Sequence, residues 1–189
     1  MRAQAERATS AANVRYVGAS AYATGLPEGC ADILTCSQSL QWMEPESTFA
    51  EVDRILRPGG VFAAYECRSL VTKSWEAVAA WLDVREAVGR LRRELGLDED
   101  KRRWPVSLER FEASRRFRFT SETSVHGVES GNADRLIGFL LSEGSLSTLL
   151  ERVTEEAIGL DQLRLLAAST LGDEPAPWHV GYVVWLGVK

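Results

Sequence analysis

The chain has 189 residues, enough for one domain or for one domain with a small lid. Its apolar content of 45% and charged content of 26% are ordinary for a soluble globular protein, and its formal net charge is -5. This charge argues against a broad basic face for nucleic acid. No apolar run approaches the roughly 20 residues of a membrane helix, and no signal-peptide core is visible. We therefore expect a cytoplasmic protein that binds neither nucleic acid nor membrane.

The three cysteines, Cys30, Cys36 and Cys67, are odd in number and follow no metal-ligand spacing. Free thiols of this kind suit a reducing compartment. We expect no disulfide framework and no metal site.

The first elements along the chain are a helix and a short strand. Residues 1–12 are rich in helix formers, with alanines at helical spacing. Residues 13–18 hold alternating apolar side chains, which predicts a strand. Residues 24–29 contain two glycines and a proline, which predicts a loop.

A strand, a crossover helix and a second strand follow. Residues 31–35 form a short, mostly apolar run that is typical of a strand covered on both faces. Residues 45–56 begin with a proline and carry an apolar stripe, with Glu51 among the residues expected to face water. A turn at residues 57–60 leads into an apolar strand at residues 61–65. This βαβ pattern predicts a parallel sheet.

The remainder of the chain is predicted to be mainly helical, with two more strands. The helices are expected at residues 73–95, 133–141, 146–153 and 155–171, and the strands at residues 111–125 and 178–188. The charge-rich residues 98–103 are expected to be solvated helix surface.

Five short motifs, taken together, suggest a family. They are GASA at residues 18–21, GLP at 25–27, ADIL at 31–34, QSLQW at 38–42 and LRPGG at 56–60. Their order and spacing resemble those of class I S-adenosylmethionine-dependent methyltransferases. The resemblance is greatest to the small-molecule branch called type 11, and within it to the trans-aconitate methyltransferase group.

The resemblance implies a Rossmann-like α/β fold, with a mostly parallel sheet, helices on both faces and a helical lid insertion. It makes residues 13–18 the third strand of the family sheet. It also implies that S-adenosylmethionine is the cofactor, since ligands of such sheets bind at the carboxyl ends of the strands. Ser20 and Ala21 would then contact the adenine, and Cys36, Ser37 and Gln38 would lie beside the methionine part.

The same resemblance places Gln41 and Trp42 at the boundary between cofactor and small-molecule substrate. The family usually has a histidine where this chain has Gln41, and a glutamine cannot take a proton at neutral pH. No catalytic acid or base is therefore assigned. A carboxylate acceptor would need no base, so we favour carboxylate O-methylation.

A second departure concerns the glycine-rich G-x-G-x-G turn of the family. This chain has no G-x-G between a strand and a helix, and it lacks the acidic residue that should hold the ribose. We expect the first two family strands to be missing, which would leave the strand at residues 31–35 with a bare edge. We also expect the chain alone to bind the cofactor weakly or not at all. A second copy or a partner chain could complete the sheet.

The predicted organisation is one structural domain in three segments. Residues 1–68 form a partial cofactor-binding core, residues 69–172 a helical substrate cover with one strand, and residues 173–189 a strand that returns to the sheet. The alternative to a methyltransferase is a non-catalytic or split fragment that needs a partner or self-association. A dinucleotide dehydrogenase is excluded because no G-x-G-x-x-G follows a strand.

Overall fold

The computed structural model of the chain describes residues 2–97 and 104–189. The helices are α1 (Arg2–Ala8), α2 (Pro45–Ile55), α3 (Trp75–Glu94), α4 (Leu108–Ala113), α5 (Ala133–Leu141), α6 (Gly144–Leu150) and α7 (Leu160–Thr170). The strands are β1 (Ala31–Ser37), β2 (Leu56–Val71), β3 (Phe119–Gly131) and β4 (Ala176–Val188). The predicted charged segment at residues 98–103 lies outside the described residues.

The chain divides into two compact units. Unit 1 comprises Met1–Ala64, Arg103–Glu122 and Trp185–Lys189, and unit 2 comprises Tyr65–Arg102 and Thr123–Val184. The candidate site described below lies entirely in unit 1.

The four strands form one sheet in the order β1-β2-β4-β3. The carbonyl of Ala31, the first residue of β1, lies beside Gly60 near the start of β2, so these strands run parallel. The Lys189 N–H donates to the Gly60 carbonyl (3.0 Å), so β4 ends where β2 begins. The Arg118 N–H donates to the Val188 carbonyl (2.9 Å), so β3 begins where β4 ends. Strands β1, β2 and β3 therefore point the same way and β4 is reversed. The sheet of the described residues is thus an open α/β sheet, as predicted, but a mixed one, because β1 pairs with β2 in parallel and β4 is antiparallel to both of its neighbours.

The predicted βαβ unit is present as β1, α2 and β2. Pro45 occupies the first turn of α2, and the Glu44 carboxylate accepts hydrogen bonds from the N–H groups of Glu46 and Ser47. A carboxylate in this position satisfies N–H groups that have no partner inside the helix, and it complements the helix dipole. The start of α2 is thus fixed by local sequence, directly after the residues that leave β1.

The strand predicted at residues 13–18 is wrong. Residues 14–19 have no regular structure, and Val14, Tyr16 and Val17 are exposed. A strand needs a hydrogen-bonded neighbour, and no strand in the described part of the chain pairs with this segment. The bridge between Ser20 and Ala23 is isolated.

The prediction that β1 is covered on both faces is also wrong. Ile33 is 66% exposed, and Asp32 and Thr35 are exposed as well. The reason is the place of β1 at one end of the sheet, with a single strand neighbour within residues 2–97 and 104–189. Within the described residues β1 is thus an edge strand.

Three further elements differ in their bounds from the predictions. Residues 57–60 belong to β2, since Gly59, although its φ is +78°, donates its N–H to the Lys189 carbonyl. Residues 111–125 contain the end of α4 as well as the start of β3. The last predicted helix is interrupted at Gly159, whose φ of +74° ends a short 3-10 turn before α7 begins.

Each unit has its own apolar core. In unit 1 the rings of Phe49, Phe62, Phe111 and Phe117 pack against one another at centroid distances of 5.2 to 6.1 Å. In unit 2 the helices α3, α5, α6 and α7 surround the fully buried Trp178 of β4. Burial of such side chains is the main favourable contribution to folding, about 1.5 to 3 kcal/mol each.

Candidate functional site

The predicted cofactor residues at the end of β1 lie on a sharp turn. Cys36 and Ser37 are the last residues of the strand, and Gln38 has a φ of +47°. A positive φ is uncommon for a residue other than glycine and marks a backbone held by its surroundings. The Gln41 Nε2 donates to the Gln38 carbonyl (3.0 Å), and the chain then makes a 3-10 turn at Leu40–Trp42. Cys36, Ser37, Gln38 and Gln41 are thus brought together at the carboxyl end of β1.

Cys36 is suited to contact rather than to nucleophilic chemistry. Its side chain is half-buried, and this burial raises the pKa of the thiol, against a smaller opposing effect of the Ser39 hydrogen bond. A thiol with a raised pKa is uncharged at neutral pH, and the thiolate is the reactive form. Cys36 therefore offers a small, weakly polar wall beside the turn.

The other predicted cofactor residues, Ser20 and Ala21, are linked to this strand end through Tyr22. The Ser20 hydroxyl accepts a hydrogen bond from the Tyr22 N–H (3.2 Å), and the Tyr22 hydroxyl accepts one from the Glu44 N–H (3.1 Å). Glu44 directly precedes α2. Ser20 is exposed and Ala21 is half-buried. The structure thus ties the loop that carries Ser20 and Ala21 to the chain just beyond Trp42.

A partly buried ionic network holds the same loop, and sequence reasoning missed it. Glu51 was expected to face water, yet it is only 7% exposed. Its carboxylate binds the Arg54 guanidinium (2.8 Å) and accepts the hydroxyl and N–H of Thr24 (2.6 and 2.7 Å). Hydrogen bonding to Arg54, and then to Thr24, lowers the pKa of Glu51 to about 2. Arg54 also donates to the Leu26 carbonyl (2.8 Å). The helical pattern predicted that Glu51 faces water. It does not reveal the contact with Thr24, because Thr24 is remote in sequence.

Gln41 and Trp42 have opposite environments although they are adjacent. Trp42, which follows the β1 turn, is 46% exposed. Gln41 is only 9% exposed, and its Oε1 atom is buried without a hydrogen-bond partner. A buried acceptor without a partner is rare in folded proteins and calls for an explanation.

Arg110 also has unpaired polar atoms, and sequence reasoning did not single it out. It is linked to the backbone of Gln41 through Trp104. The Trp104 N–H donates to the Gln41 carbonyl (2.9 Å), and the Trp104 carbonyl accepts from Nη1 of Arg110 (2.7 Å). The Nε and Nη2 atoms of Arg110 are buried and have no partner. Burial lowers the pKa of Arg110, and the Glu44 carboxylate acts in the opposite direction.

Two searches of the described residues, for metal-ligand clusters and for membrane-spanning helices, found none. No group of three or more potential metal-ligating side chains occurs within residues 2–97 and 104–189. The three cysteines are free thiols. No helix in the same part of the chain is long and apolar enough to cross a membrane.

Comparisons with known proteins agree with the predicted family. Residues 1–64 match a family model described as a methyltransferase domain. Over its whole length the chain resembles the solved structure of a putative type II methyltransferase from Anaeromyxobacter dehalogenans, at 22% identity and a TM-score of 0.58, covering 76% of that protein. A putative methyltransferase from Bacillus halodurans is matched over 100% of this chain and 76% of its own, at 15% identity and a TM-score of 0.47. No curated protein matches the sequence.

The matched segment contains β1, α2 and all of the predicted site residues. The structural likeness covers 100% of this chain and shows its fold. The chain therefore has a methyltransferase fold, and its residues 1–64 match the methyltransferase-domain model, in agreement with the sequence motifs.

Proposed function

We propose that the chain takes part in methyl transfer from S-adenosylmethionine to a small-molecule acceptor. The observation that carries this proposal is the turn at the carboxyl end of β1, where Gln38 adopts a positive φ beside the exposed ring of Trp42. In open α/β sheets this is the place where ligands bind. The match of residues 1–64 to a methyltransferase domain favours an enzyme over the non-catalytic alternative.

The residues present fit part of such a cofactor. The Ser37 hydroxyl and the Gln38 side-chain amide belong to exposed residues at the strand end, and the uncharged thiol of Cys36 can pack against an apolar part of the ligand. Ser20 and Ala21, held through Tyr22, are our proposed contacts for the adenine. The glycine-rich turn and the ribose-binding carboxylate remain without counterparts in the sequence.

The chemistry supported by these residues is displacement without a protein base. When bound, S-adenosylmethionine supplies an electrophilic methyl group on its sulfonium. Gln41 cannot accept a proton at neutral pH, so its contribution is to orient groups by hydrogen bonding. Aligning the methyl group with the acceptor atom can by itself lower the activation barrier of the transfer substantially. We therefore propose an acceptor that is already ionised, and favour a carboxylate oxygen. Membership of the trans-aconitate group remains a prediction.

Self-association is a further part of the proposal. The free edge of β1 and the exposed Ile33 offer a template for pairing with the same strand of a second copy. Light scattering of the wild-type chain and of Ile33→Lys tests this. A dimer that the variant converts to monomer supports pairing through β1, and a wild-type monomer at all concentrations contradicts it.

We test the function by titrating S-adenosylhomocysteine into the full chain and measuring binding by calorimetry and by ligand-observed NMR. We expect measurable binding that is weaker than micromolar. Ser37→Trp should obstruct the strand end and abolish binding. Thr35→Trp, two residues earlier on an exposed position of the same strand, should leave it intact. A folded wild-type chain that shows no binding by either method contradicts the proposal.

A further inference from the structure

We propose that His126 and His179 together bind a divalent transition-metal ion of the class that imidazole ligands prefer, Zn²⁺, Ni²⁺ or Cu²⁺. They are the two histidines of the chain and lie far apart in its sequence. The fold brings them onto neighbouring strands, His126 in β3 and His179 in β4, with ring centroids 6.4 Å apart. Both residues belong to unit 2, and the inference does not depend on the proposed methyl transfer. The expectation of no metal site came from the spacing of the cysteines and does not concern this pair.

The two imidazoles lie on the face of the sheet that the helices of unit 2 leave open. Successive side chains of a strand point to opposite faces of a sheet. Trp178, the residue before His179, is fully buried against these helices, so His179 points to the other face, where it is exposed. His126 is exposed too, and its ring lies against that of His179. Both rings are therefore accessible to an ion from solvent.

The separation of the rings suits two ligands of one ion. A ring nitrogen lies about 1.1 Å from the ring centroid and binds Zn²⁺ at about 2.1 Å. Around one ion, two ring centroids therefore lie about 5.2 Å apart at a tetrahedral angle and about 6.4 Å apart at a linear one. The observed separation of 6.4 Å lies at the upper end of this range. Because exposed side chains change rotamer within nanoseconds, a movement of about 1 Å gives the tetrahedral spacing without a change in either strand.

An accessible cavity adjoins the pair. It has a volume of about 210 Å³ and lies along β2, β3 and β4. His126 lines it together with Ser69 and Ser124. With two protein ligands rather than three or more, the ion keeps open coordination positions, since Zn²⁺ usually has four ligands. Water or a small anionic ligand in the cavity can occupy these positions.

The charges around the cavity favour nitrogen-binding ions over Mg²⁺ and Ca²⁺. Arg68 also lines the cavity, and its guanidinium pairs with the Glu66 carboxylate (2.8 Å), which offsets its charge. No carboxylate lines this cavity in the described part of the chain. Mg²⁺ and Ca²⁺ require several oxygen ligands, which the pair does not offer. Neutral imidazoles instead suit zinc, nickel and copper.

Metal titrations of the full chain, carrying no histidine tag, test the pair. Calorimetry measures the binding of Zn²⁺ and Ni²⁺, with Mg²⁺ as the ion that should not bind, and NMR follows the two imidazole rings during the Zn²⁺ titration. The variants are His126→Gln and His179→Gln. The control combines His126→Gln with Thr123→His, which keeps two histidines but puts one on the opposite face of β3, at an exposed position. Circular dichroism verifies that every variant is folded.

We expect the wild type to bind one Zn²⁺ or Ni²⁺ ion, and both imidazole rings should respond together as Zn²⁺ is added. Each single variant should weaken binding by about tenfold or more, because a second ligand fixed in the same molecule acts at a high effective concentration. The control should bind as weakly as His126→Gln.

Absence of Zn²⁺ and Ni²⁺ binding by the wild type at millimolar concentration overturns the inference. Unchanged binding in both histidine variants also overturns it, since the ion would then be held elsewhere, for example by a cysteine thiol. A loss in only one of the two variants would indicate a single imidazole ligand rather than a pair. Recovery of binding in the Thr123→His control would show that the number of histidines, and not their arrangement in the fold, determines the affinity.

Discussion

The Glu51 carboxylate accepts hydrogen bonds from both the N–H and the hydroxyl of Thr24, which lies 27 positions earlier in the chain. This contact closes the loop of residues 20–24 onto α2, and Arg54 completes it from the next turn of the helix. Together with the Tyr22–Glu44 hydrogen bond, it links the loop of the proposed adenine-side residues to the helix that follows β1.

This network predicts a specific dependence of stability on pH. The pKa of Glu51 in the folded chain is lowered from 4.5 to about 2, first by Arg54 and then by Thr24. A carboxyl group with a lowered folded pKa stabilises the fold above its unfolded pKa and loses that effect as the pH falls. We expect Glu51→Gln to lower the melting temperature near neutral pH. The difference from the wild type should vanish between pH 4.5 and about 2.

Melting curves over this pH range, recorded by circular dichroism, provide the measurement. Glu112→Gln, on an exposed position of α4, is the matched control and should follow the wild type. A constant offset between Glu51→Gln and the wild type at every pH would show that the charge of Glu51 is not what stabilises the loop.

The phenylalanine cluster of unit 1 predicts a large cost for truncating Phe111. Its ring is fully buried and lies 5.2 Å from the ring of Phe49 and 5.4 Å from that of Phe62. Phe111→Ala should lower the free energy of unfolding by about 3 to 5 kcal/mol, because a cavity remains where the ring was. Urea denaturation measures it. Phe119→Ala, at a ring 56% exposed, should stay within about 0.5 kcal/mol of the wild type. Equal losses in the two variants would contradict the proposed packing.

The elements that local sequence determines were predicted well. The βαβ unit, α3 and α5 have strong periodicity and recognisable starts, such as Pro45 for α2. The strand expected at residues 13–18 fails for a non-local reason, because it has the right side chains but no strand to pair with. The apolar character of β1 likewise indicated burial, although its position at the sheet edge leaves Ile33 exposed.

The sequence predicts the candidate site only where its residues are consecutive in the chain. Residues 36–42 are consecutive, so the family motif brings them together without knowledge of the fold. Glu51 and Arg110 acquire their properties from distant residues, Thr24 and Trp104. A charged residue on an amphipathic helix usually faces water, and sequence alone contains no signal that these two do not.

Trp42 provides a prediction that distinguishes a binding surface from a packing anchor. Its ring is 46% exposed, so Trp42→Ala should change the free energy of unfolding only slightly. If the ring covers bound S-adenosylhomocysteine, the same change should weaken binding about tenfold, as is typical for loss of an aromatic stacking surface. Trp75→Ala, at a tryptophan 74% exposed in unit 2, is the control and should alter neither quantity. A large loss of stability with unchanged binding would assign Trp42 to packing instead.

The close approach of β1 and β2 at Gly60 gives the last prediction. A Cβ atom at this position would lie 2.9 Å from the Arg57 carbonyl oxygen and 3.2 Å from that of Ala31. Both are backbone atoms, the first in β2 itself and the second in β1, so Gly60→Ala requires β2 to bend locally and β1 to move away. Overpacking of this kind costs about 1 to 3 kcal/mol, measurable by urea denaturation. Gly138→Ala, where no atom lies within 4 Å of the added Cβ in helix α5, should instead stabilise the chain by about 0.5 to 1 kcal/mol. Because Ala31 begins the strand that ends at the candidate site, Gly60→Ala should also weaken S-adenosylhomocysteine binding. If Gly60→Ala unfolds at the same urea concentration as the wild type, β1 is not held against β2 as described.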